Sequence, residues 1–446
     1  MFGYSMIKMV RAHAHKLDRP LREKLLNLYK PFKWTPCFLH KMLEGWMKKT
    51  KKLTVIVEFE KSEMAFESAL HEVDKVIDRH FKCRIRKKFS LVSCVSVEMT
   101  PLALEEMLEH CSCIKKVYLN HEVRALLDVA VPSANAKGVV RNETSLTGEG
   151  ITIAIIDTGI YPHQDLQGRI IDFVDFINQR TEPYDDNGHG THCAGDAAGN
   201  GSASLERKYA GPAPKANVIG VKVLNKLGSG SLETVMQGID WCIQYNEDEN
   251  NKNKIDIISM SLGSSPQSYN KENDDPMVQY VELAWSHGIV VCAAAGNDGP
   301  EKQTIASPGI SDQIITVGAL DDRNTMDTRG DDDVASFSSR GPTPYKVTKP
   351  DILAPGVNIV SLRSPNSYLD KIQKSSRVDS NYFVLSGTSM ATPICAGIVA
   401  LILQAKPNAS PDEVKEWLKN GTTAWKERDP NVYGAGYIDA ERSIPE

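Results

Sequence analysis

Three kinds of segment that would fix the surroundings of this protein are missing. Near Met1 no apolar run reaches the length of a signal-peptide core, because charges interrupt MFGYSMIKMVRAHAHKLDRPL. No uninterrupted apolar stretch reaches the roughly 18 residues of a membrane-spanning helix. No CxxC pair occurs among the nine cysteines, at 37, 83, 94, 111, 113, 193, 242, 292 and 395, which argues against zinc and for free thiols. Several sit in apolar runs, such as VVCAAA around Cys292 and PICAGIVAL around Cys395, where cysteine acts as a small buried hydrophobe. An excess of one charge is lacking too: the net charge of -5 selects no nucleic-acid or membrane partner. A soluble, cytoplasmic protein without a transmembrane segment is expected, release by an unrecognised route staying open.

What is present is ordinary globular composition, 41% hydrophobic and 24% charged, spread over 446 residues. That length exceeds what one hydrophobic core usually supports, so one large and one smaller unit are expected. Residues 1–49 are basic and read as a partly helical, solvated extension rather than an anion-binding arm. From Leu53 the pattern becomes TVIVEF, a helical stretch to about residue 81, SLVSCVSVEM, TPLALEEMLEHC and IKKVYL. This β-α-β-α-β order, with a further strand at CRIRKKF, suits a small α+β unit of ferredoxin-like type over residues 50–127. The polar stretch PSANAKGVVRNETSLTGEG then marks a boundary near 127–145.

Beyond it lie apolar runs without alternation, at 151–157, 217–224, 255–262, 288–295 and 313–320. Such runs suit parallel strands buried on both faces. Helical candidates fall between them, so residues 128–446 read as a doubly wound, mostly parallel α/β sheet. Ligands in such sheets bind at the carboxyl ends of the strands. The stretch TSMATPICAGIVALILQA is apolar nearly all round, which marks a core helix.

Three motifs end or begin these elements: IIDTGI with Asp157, NGHGTHCAG with His189, and LSGTSMATP with Ser389. Singly, each has an ordinary reading as helix cap, surface residue or turn. Together they provide a hydroxyl nucleophile, an imidazole base and a carboxylate that fixes the imidazole's tautomer. The chain order Asp, His, Ser is that of subtilisin, and differs from chymotrypsin and the α/β-hydrolases. Two rivals are a catalytically silent protein that kept the fold, and a metallopeptidase using His189 and His192. The first is disfavoured by the intact motifs. The second lacks the HExxH spacing and its glutamate.

DTGI, HGTHCAG and GTSMATP resemble the three signature segments of the subtilisin family, peptidase S8, over roughly residues 128–440. The resemblance implies a serine endopeptidase acting through an acyl-enzyme on protein and peptide substrates, with no cofactor required for catalysis. It implies that Asn297 in AAAGN donates to the oxyanion with the Ser389 backbone N–H. It implies a substrate cleft walled by Gly228, Ser229 and Gly230 on one side and Ser261, Leu262 and Gly263 on the other. The primary pocket would add Ala294, Ala295, Gly296 and Ala306; nothing charged lines it, so an apolar or aromatic residue before the cut is expected. Cys193 resembles the cysteine of thiol-dependent, proteinase K-like members. Asp165 matches a calcium-ligating position of secreted subtilisins, although GNGSASLERKYAG departs from their metal loop; whether any metal binds stays open. Residues 50–127 resemble the inhibitory prodomain, with processing near Leu127–Asp128 and the prodomain as intramolecular inhibitor. A full prodomain without a signal peptide is most similar to the AprX-type subtilisins of bacilli, which implies a cytoplasmic, self-processing zymogen.

Overall fold

Alternating burial along β1 (Leu53–Phe59) turns Leu53, Val55, Val57 and Phe59 to one face, the period-two pattern of a half-covered strand. The computed structural model describes residues 5–28, 40–60, 66–89, 93–119, 127–265, 271–323, 325, 330–423 and 428–446. These fall into two units, Met1–Val123 and Arg124–Glu446.

In the first unit β1 is the inner partner of β3 (Cys94–Met99) and β4 (Ile114–Leu119), and β2 (Arg84–Phe89) adds to β3. The antiparallel order is β2-β3-β1-β4. Three helices, α1 (Ser5–Ala12), α2 (Arg19–Asn27) and α3 (His40–Thr50), precede this sheet, and α4 (Phe66–Ile77) and α5 (Pro101–His110) connect its strands. On α4 the buried Ala69, Leu70, Val73, Val76 and Ile77 recur at helical spacing and form one apolar face. Thr100 caps α5, with Pro101 at its first position.

The basic N-terminal stretch differs from the solvated extension expected of it. Met6, Met9, Val10, Leu17, Leu21 and Leu25 are buried in the same core as the sheet. Asp18 caps α2 through Leu21 N at 2.9 Å and accepts from Leu119 N at 3.2 Å, while Val117 N donates to Lys16 O at 2.7 Å. The physical reason is spacing: apolar residues three and four apart on α1 and α2 make a buried stripe, and the intervening lysines and arginines conceal it in a composition count.

The second unit starts with α6 (Leu127–Ser133) and a short hairpin, β5 (Val140–Arg141) with β6 (Thr144–Ser145). Its main sheet holds β7 (Thr152–Asp157), β8 (Ile170–Asp175), β9 (Asn217–Lys222), β10 (Ile257–Met260), β11 (Val290–Ala294) and β12 (Ile315–Asp321). They pair in parallel in the order β8-β9-β7-β10-β11-β12. Strand β13 (Asp333–Val334) joins β12 antiparallel and β14 (Ile352–Pro355) joins it in parallel. Every residue of β7 is buried, as runs without alternation require. Helices α7 (His189–Ala198), α8 (Leu232–Glu247) and α9 (Pro276–Ser286) are connected between these strands; α9 starts at Pro276 with the Asp275 carboxylate accepting from Met277 N at 2.9 Å.

The chain starts this sheet at β7, builds β8 and β9 on one side, then reverses to build β10, β11 and β12 on the other. That reversal opens a crevice at the carboxyl ends of β7 and β10, where such sheets bind ligands. A three-stranded sheet, β15 (Ile359–Leu362), β16 (Arg377–Val378) and β17 (Tyr382–Leu385), follows, with α10 (Tyr368–Ile372) between β15 and β16. Helix α11 (Thr388–Ala405) is long and apolar enough to cross a membrane by length and composition, and it lies buried against the sheet as a core helix.

Candidate active site

Asp157 is the last residue of β7 and His189 the first of α7. The two meet because α7 presses on the strand end at Gly190, where any side-chain carbon would lie 2.2 Å from Gly159 O. His189 Nδ1 stands 2.8 Å from Asp157 Oδ1 and 2.9 Å from Oδ2. The carboxylate is fully buried and also accepts from Thr158 N at 2.7 Å. A carboxylate at Nδ1 fixes the proton there and leaves Nε2 as the accepting nitrogen. Burial works against a charged imidazole, but the Asp157 carboxylate outweighs it and holds His189 well above its ordinary value.

Asp185 holds the turn that presents His189, a role that sequence reasoning missed. It accepts from Asn187 N at 3.0 Å, Gly188 N at 2.8 Å, Thr191 N at 2.9 Å, Thr191 Oγ1 at 2.7 Å and Thr158 Oγ1 at 3.0 Å. Thr158 Oγ1 in turn accepts from Gly190 N at 2.9 Å, so the end of β7 and the start of α7 share one polar network. The readable signal was YDDNGHG, an acidic residue just before a glycine-flanked histidine.

Ser389 is the second residue of α11, where backbone N–H groups have no partner within the helix. Its hydroxyl donates to Ser261 O at 3.2 Å, not to the imidazole, and Ser261 Oγ donates back to Ser389 O at 2.7 Å. Asn297 follows β11. Its Oδ1 accepts from Thr388 N at 2.9 Å and Thr388 Oγ1 at 3.1 Å, which leaves Nδ2 to donate. Thr388 Oγ1 also accepts from Gly296 N at 3.2 Å, so one buried hydroxyl orients the amide.

A cleft of about 760 Å³ runs beside His189. Gly228, Ser229 and Gly230 line one wall, and Ser261, Leu262 and Gly263 the other. Ala294, Ala295, Gly296 and Ala306 do not line this cavity; Ala306 lies against Gly263, where a side-chain carbon would meet Ala306 Cβ at 3.0 Å. Paired hydrogen bonds of 3.0 and 2.9 Å between Ser264 and Ser307 hold these stretches together. The Ala295 side chain is buried with Val278, Ile305 and Ile310, so only its backbone can face a ligand. Among the cleft residues that sequence reasoning missed are Thr158, Asn187, Leu224, Asp275 and Leu369.

The model of peptidase S8, the subtilase family, matches residues 148–436. The chain belongs to the subtilase family. It is 63% identical over 445 residues to the serine protease AprX of Bacillus subtilis strain 168, covering 100% of both chains. It is 36% identical to subtilisin Savinase of Lederbergia lenta over 70% of this chain and 95% of that one. Among solved structures it resembles a cold-adapted subtilisin-like serine proteinase, with a TM-score of 0.52 and 27% identity, covering 71% of this chain and 100% of that one. The subtilase is accordingly a serine endopeptidase, a hydrolase, with the mostly parallel α/β sheet of its family.

Two features set its site apart from a metal centre. His192 is fully buried, with Nδ1 2.9 Å from Asp196 Oδ2 and Nε2 3.2 and 3.1 Å from the carbonyls of Ile359 and Phe383, so it cannot share a ligand with His189. At Asp165 both carboxylate oxygens are taken by donors: Ser202 Oγ at 3.2 Å and Ala203 N at 2.8 Å on Oδ1, Tyr382 Oη at 2.8 Å on Oδ2. Calcium takes about six to eight oxygen ligands, and the groups that reach the Asp165 carboxylate are N–H and O–H donors rather than further anionic or carbonyl oxygens, a shell that does not fit calcium. Within the site itself, Asp157, His189 and Cys193 bring three ligand atoms within 4.8 Å of one another, and the thiol is the soft ligand among them.

Proposed function

We propose that this subtilase cleaves peptide bonds through an acyl-enzyme, with Ser389 as nucleophile, His189 as base, Asp157 as its orienting carboxylate and Asn297 as oxyanion donor. The observation that carries this reading is the His189 Nδ1 contact with Asp157 at 2.8 and 2.9 Å, which leaves Nε2 free at the mouth of the cleft. The Ser389 hydroxyl turns from Ser261 O to Nε2 and gives up its proton as Oγ attacks the scissile carbonyl carbon. The resulting oxyanion takes hydrogen bonds from Asn297 Nδ2 and Ser389 N. Nε2–H then protonates the leaving amine as the C–N bond breaks, and water repeats the sequence on the ester.

The substrate is an extended peptide paired by its main chain to Gly228–Gly230 and Ser261–Gly263, a recognition mode tolerant of sequence. The uncharged wall around Gly263 and Ala306 supports an apolar or aromatic residue before the cut; faster cleavage after Lys or Arg in a peptide panel overturns that preference. The β-α-β-β-α-β unit supports a ferredoxin-like, inhibitory prodomain that the enzyme removes itself. The bond proposed for processing, Leu127–Asp128, opens α6, so its first turn must unwind before the bond can lie extended; residues 120–126 lie outside the described residues. We place the zymogen in the cytoplasm on its resemblance to the AprX-type subtilisins. Treatment with phenylmethylsulfonyl fluoride tests the mechanism. One sulfonyl group on the Ser389 peptide with loss of activity, and indifference to chelators, supports it; modification elsewhere, or inactivation by chelators alone, contradicts it.

A further inference from the structure

The stretch from Arg363 to Arg377 is strapped across the turn that carries His189. One buried carboxylate, Asp370, ties both ends: Arg363 Nε to Oδ1 at 2.6 Å, Arg363 Nη2 to Oδ2 at 3.0 Å, and Arg377 Nε to Oδ1 at 2.6 Å. Asn366 N donates to Oδ2 at 3.0 Å. Burial alone would raise the Asp370 pKa, but these arginines and the Asn366 N–H hold it down to about 2. The strap therefore keeps its ionic tie throughout the pH range in which a protease is assayed.

The middle of the strap is sewn to the His189 turn by backbone. Tyr368 N donates to Asp186 O at 2.8 Å, Leu369 N to Asn187 O at 2.9 Å, and Ser364 Oγ to Asp185 O at 2.7 Å. These bonds hold Leu369, half-buried, in the cleft lining together with Thr158, Asn187, His189 and Leu224. Side chains of an extended peptide alternate in direction. If the residue before the cut enters the wall around Gly263 and Ala306, the one preceding it points the opposite way, toward His189, Leu224 and Leu369.

We propose that Leu369 is a specificity-determining residue for the second residue before the cut, favouring aliphatic side chains there. The inference rests on the protease reading and adds a second subsite to it. Leu224 and Leu369 give that subsite apolar walls, and Asn187 is spent on the turn: its Oδ1 accepts from His189 N at 3.1 Å and its Nδ2 donates to Lys226 O at 3.0 Å. A glycine at this substrate position leaves the apolar walls uncovered, and a charged side chain there loses water without gaining a partner.

The test is kcat/KM on two peptide series. One varies the second residue before the cut (Leu, Ala, Gly, Asp); the other varies the residue at the cut (Phe, Leu, Ala). Leu369→Ala is expected to reduce the Leu-over-Gly preference in the first series by about tenfold, the low end for losing apolar contact in a pocket. Ratios in the second series should stay within about twofold. Leu369→Trp, which fills the subsite, is expected to turn the preference toward Gly. Unchanged ratios in the first series for both variants, in enzymes of unaltered thermal midpoint, overturn the proposal, as does an equal change in both series. Failure of the protease reading would look different, because no peptide in either series would then be cut by the unmodified protein.

Discussion

Mercurial inactivation through Cys193 follows from a thiol that is packed against the proposed triad without belonging to it. Cys193 Sγ lies 3.8 Å from His189 Nδ1 and 3.9 Å from Asp157 Oδ2, and donates to Ser389 O at 3.5 Å. It is fully buried, and burial pushes the thiol from its ordinary 9.0 up to about 11. At pH 8 an ordinary thiol of that kind is about 10% thiolate, whereas Cys193 is about 0.1%, so reaction with a thiol reagent should be about 100-fold slower than for an exposed cysteine. Once bound, the metal has Nδ1 and a carboxylate oxygen within reach. Taking Nδ1 as a ligand breaks its bond to Asp157 and shifts its proton to Nε2, which can then no longer accept one, so activity is lost although Ser389 is untouched. The assay is the pseudo-first-order inactivation rate with p-hydroxymercuribenzoate between pH 7 and 10, each variant normalised to its own starting activity. The expected rate rises about tenfold per pH unit, and Cys193→Ala escapes inactivation. Equal inactivation of Cys193→Ala, or a rate independent of pH, refutes the reasoning.

Three further outcomes follow from the site. His189 must be neutral to accept a proton and is held above its ordinary 6.5, so kcat/KM should rise with pH through a midpoint above that value; a midpoint below it contradicts the Asp157 contact as its cause. Asn297→Ala should lower kcat by about 100- to 1000-fold with little change in KM, a magnitude known for the corresponding donor in subtilisin rather than worked from this structure. A rise in KM at constant kcat would make Asn297 a binding residue instead. Because the Asp165 oxygens are occupied by donors, calcium and chelator should leave the same thermal midpoint; a calcium-dependent gain that Asp165→Asn abolishes would contradict this.

Most of the sheet was legible because ITIAIID and its counterparts lack alternation, and the ends of β7, β9, β10, β11 and β12 fall within about two residues of the apolar runs; β8, a partly exposed strand, matched no such run. Asp157, His189 and Ser389 could be picked out as candidates because each motif joins a reactive residue to glycines or small residues that permit close approach, and the structure brings Asp157 and His189 into contact. What stayed hidden depends on partners far along the chain. Leu369 is an isolated apolar residue in RSPNSYLDKIQKSSR, and it reaches the cleft through the Arg363–Asp370–Arg377 tie and the backbone bonds to Asp186 and Asn187. That the Ala295 side chain is buried in the cluster of Val278 and Ile305, leaving its backbone to face a ligand, was likewise hidden, since those partners lie far along the chain. Burial of α1 and α2 was masked by charge, since a helix needs only one apolar stripe to join a core.

The most direct measurement of the triad is activity and intact mass of the full-length protein beside its Ser389→Ala form, on one peptide with phenylalanine before the cut. The expected result is a fall of at least about 10,000-fold in kcat, with the variant keeping its thermal midpoint and its unprocessed mass. A Ser389→Ala protein that still cleaves the peptide at a comparable rate would contradict Ser389 as the nucleophile, and with it the roles of Asp157, His189 and Asn297.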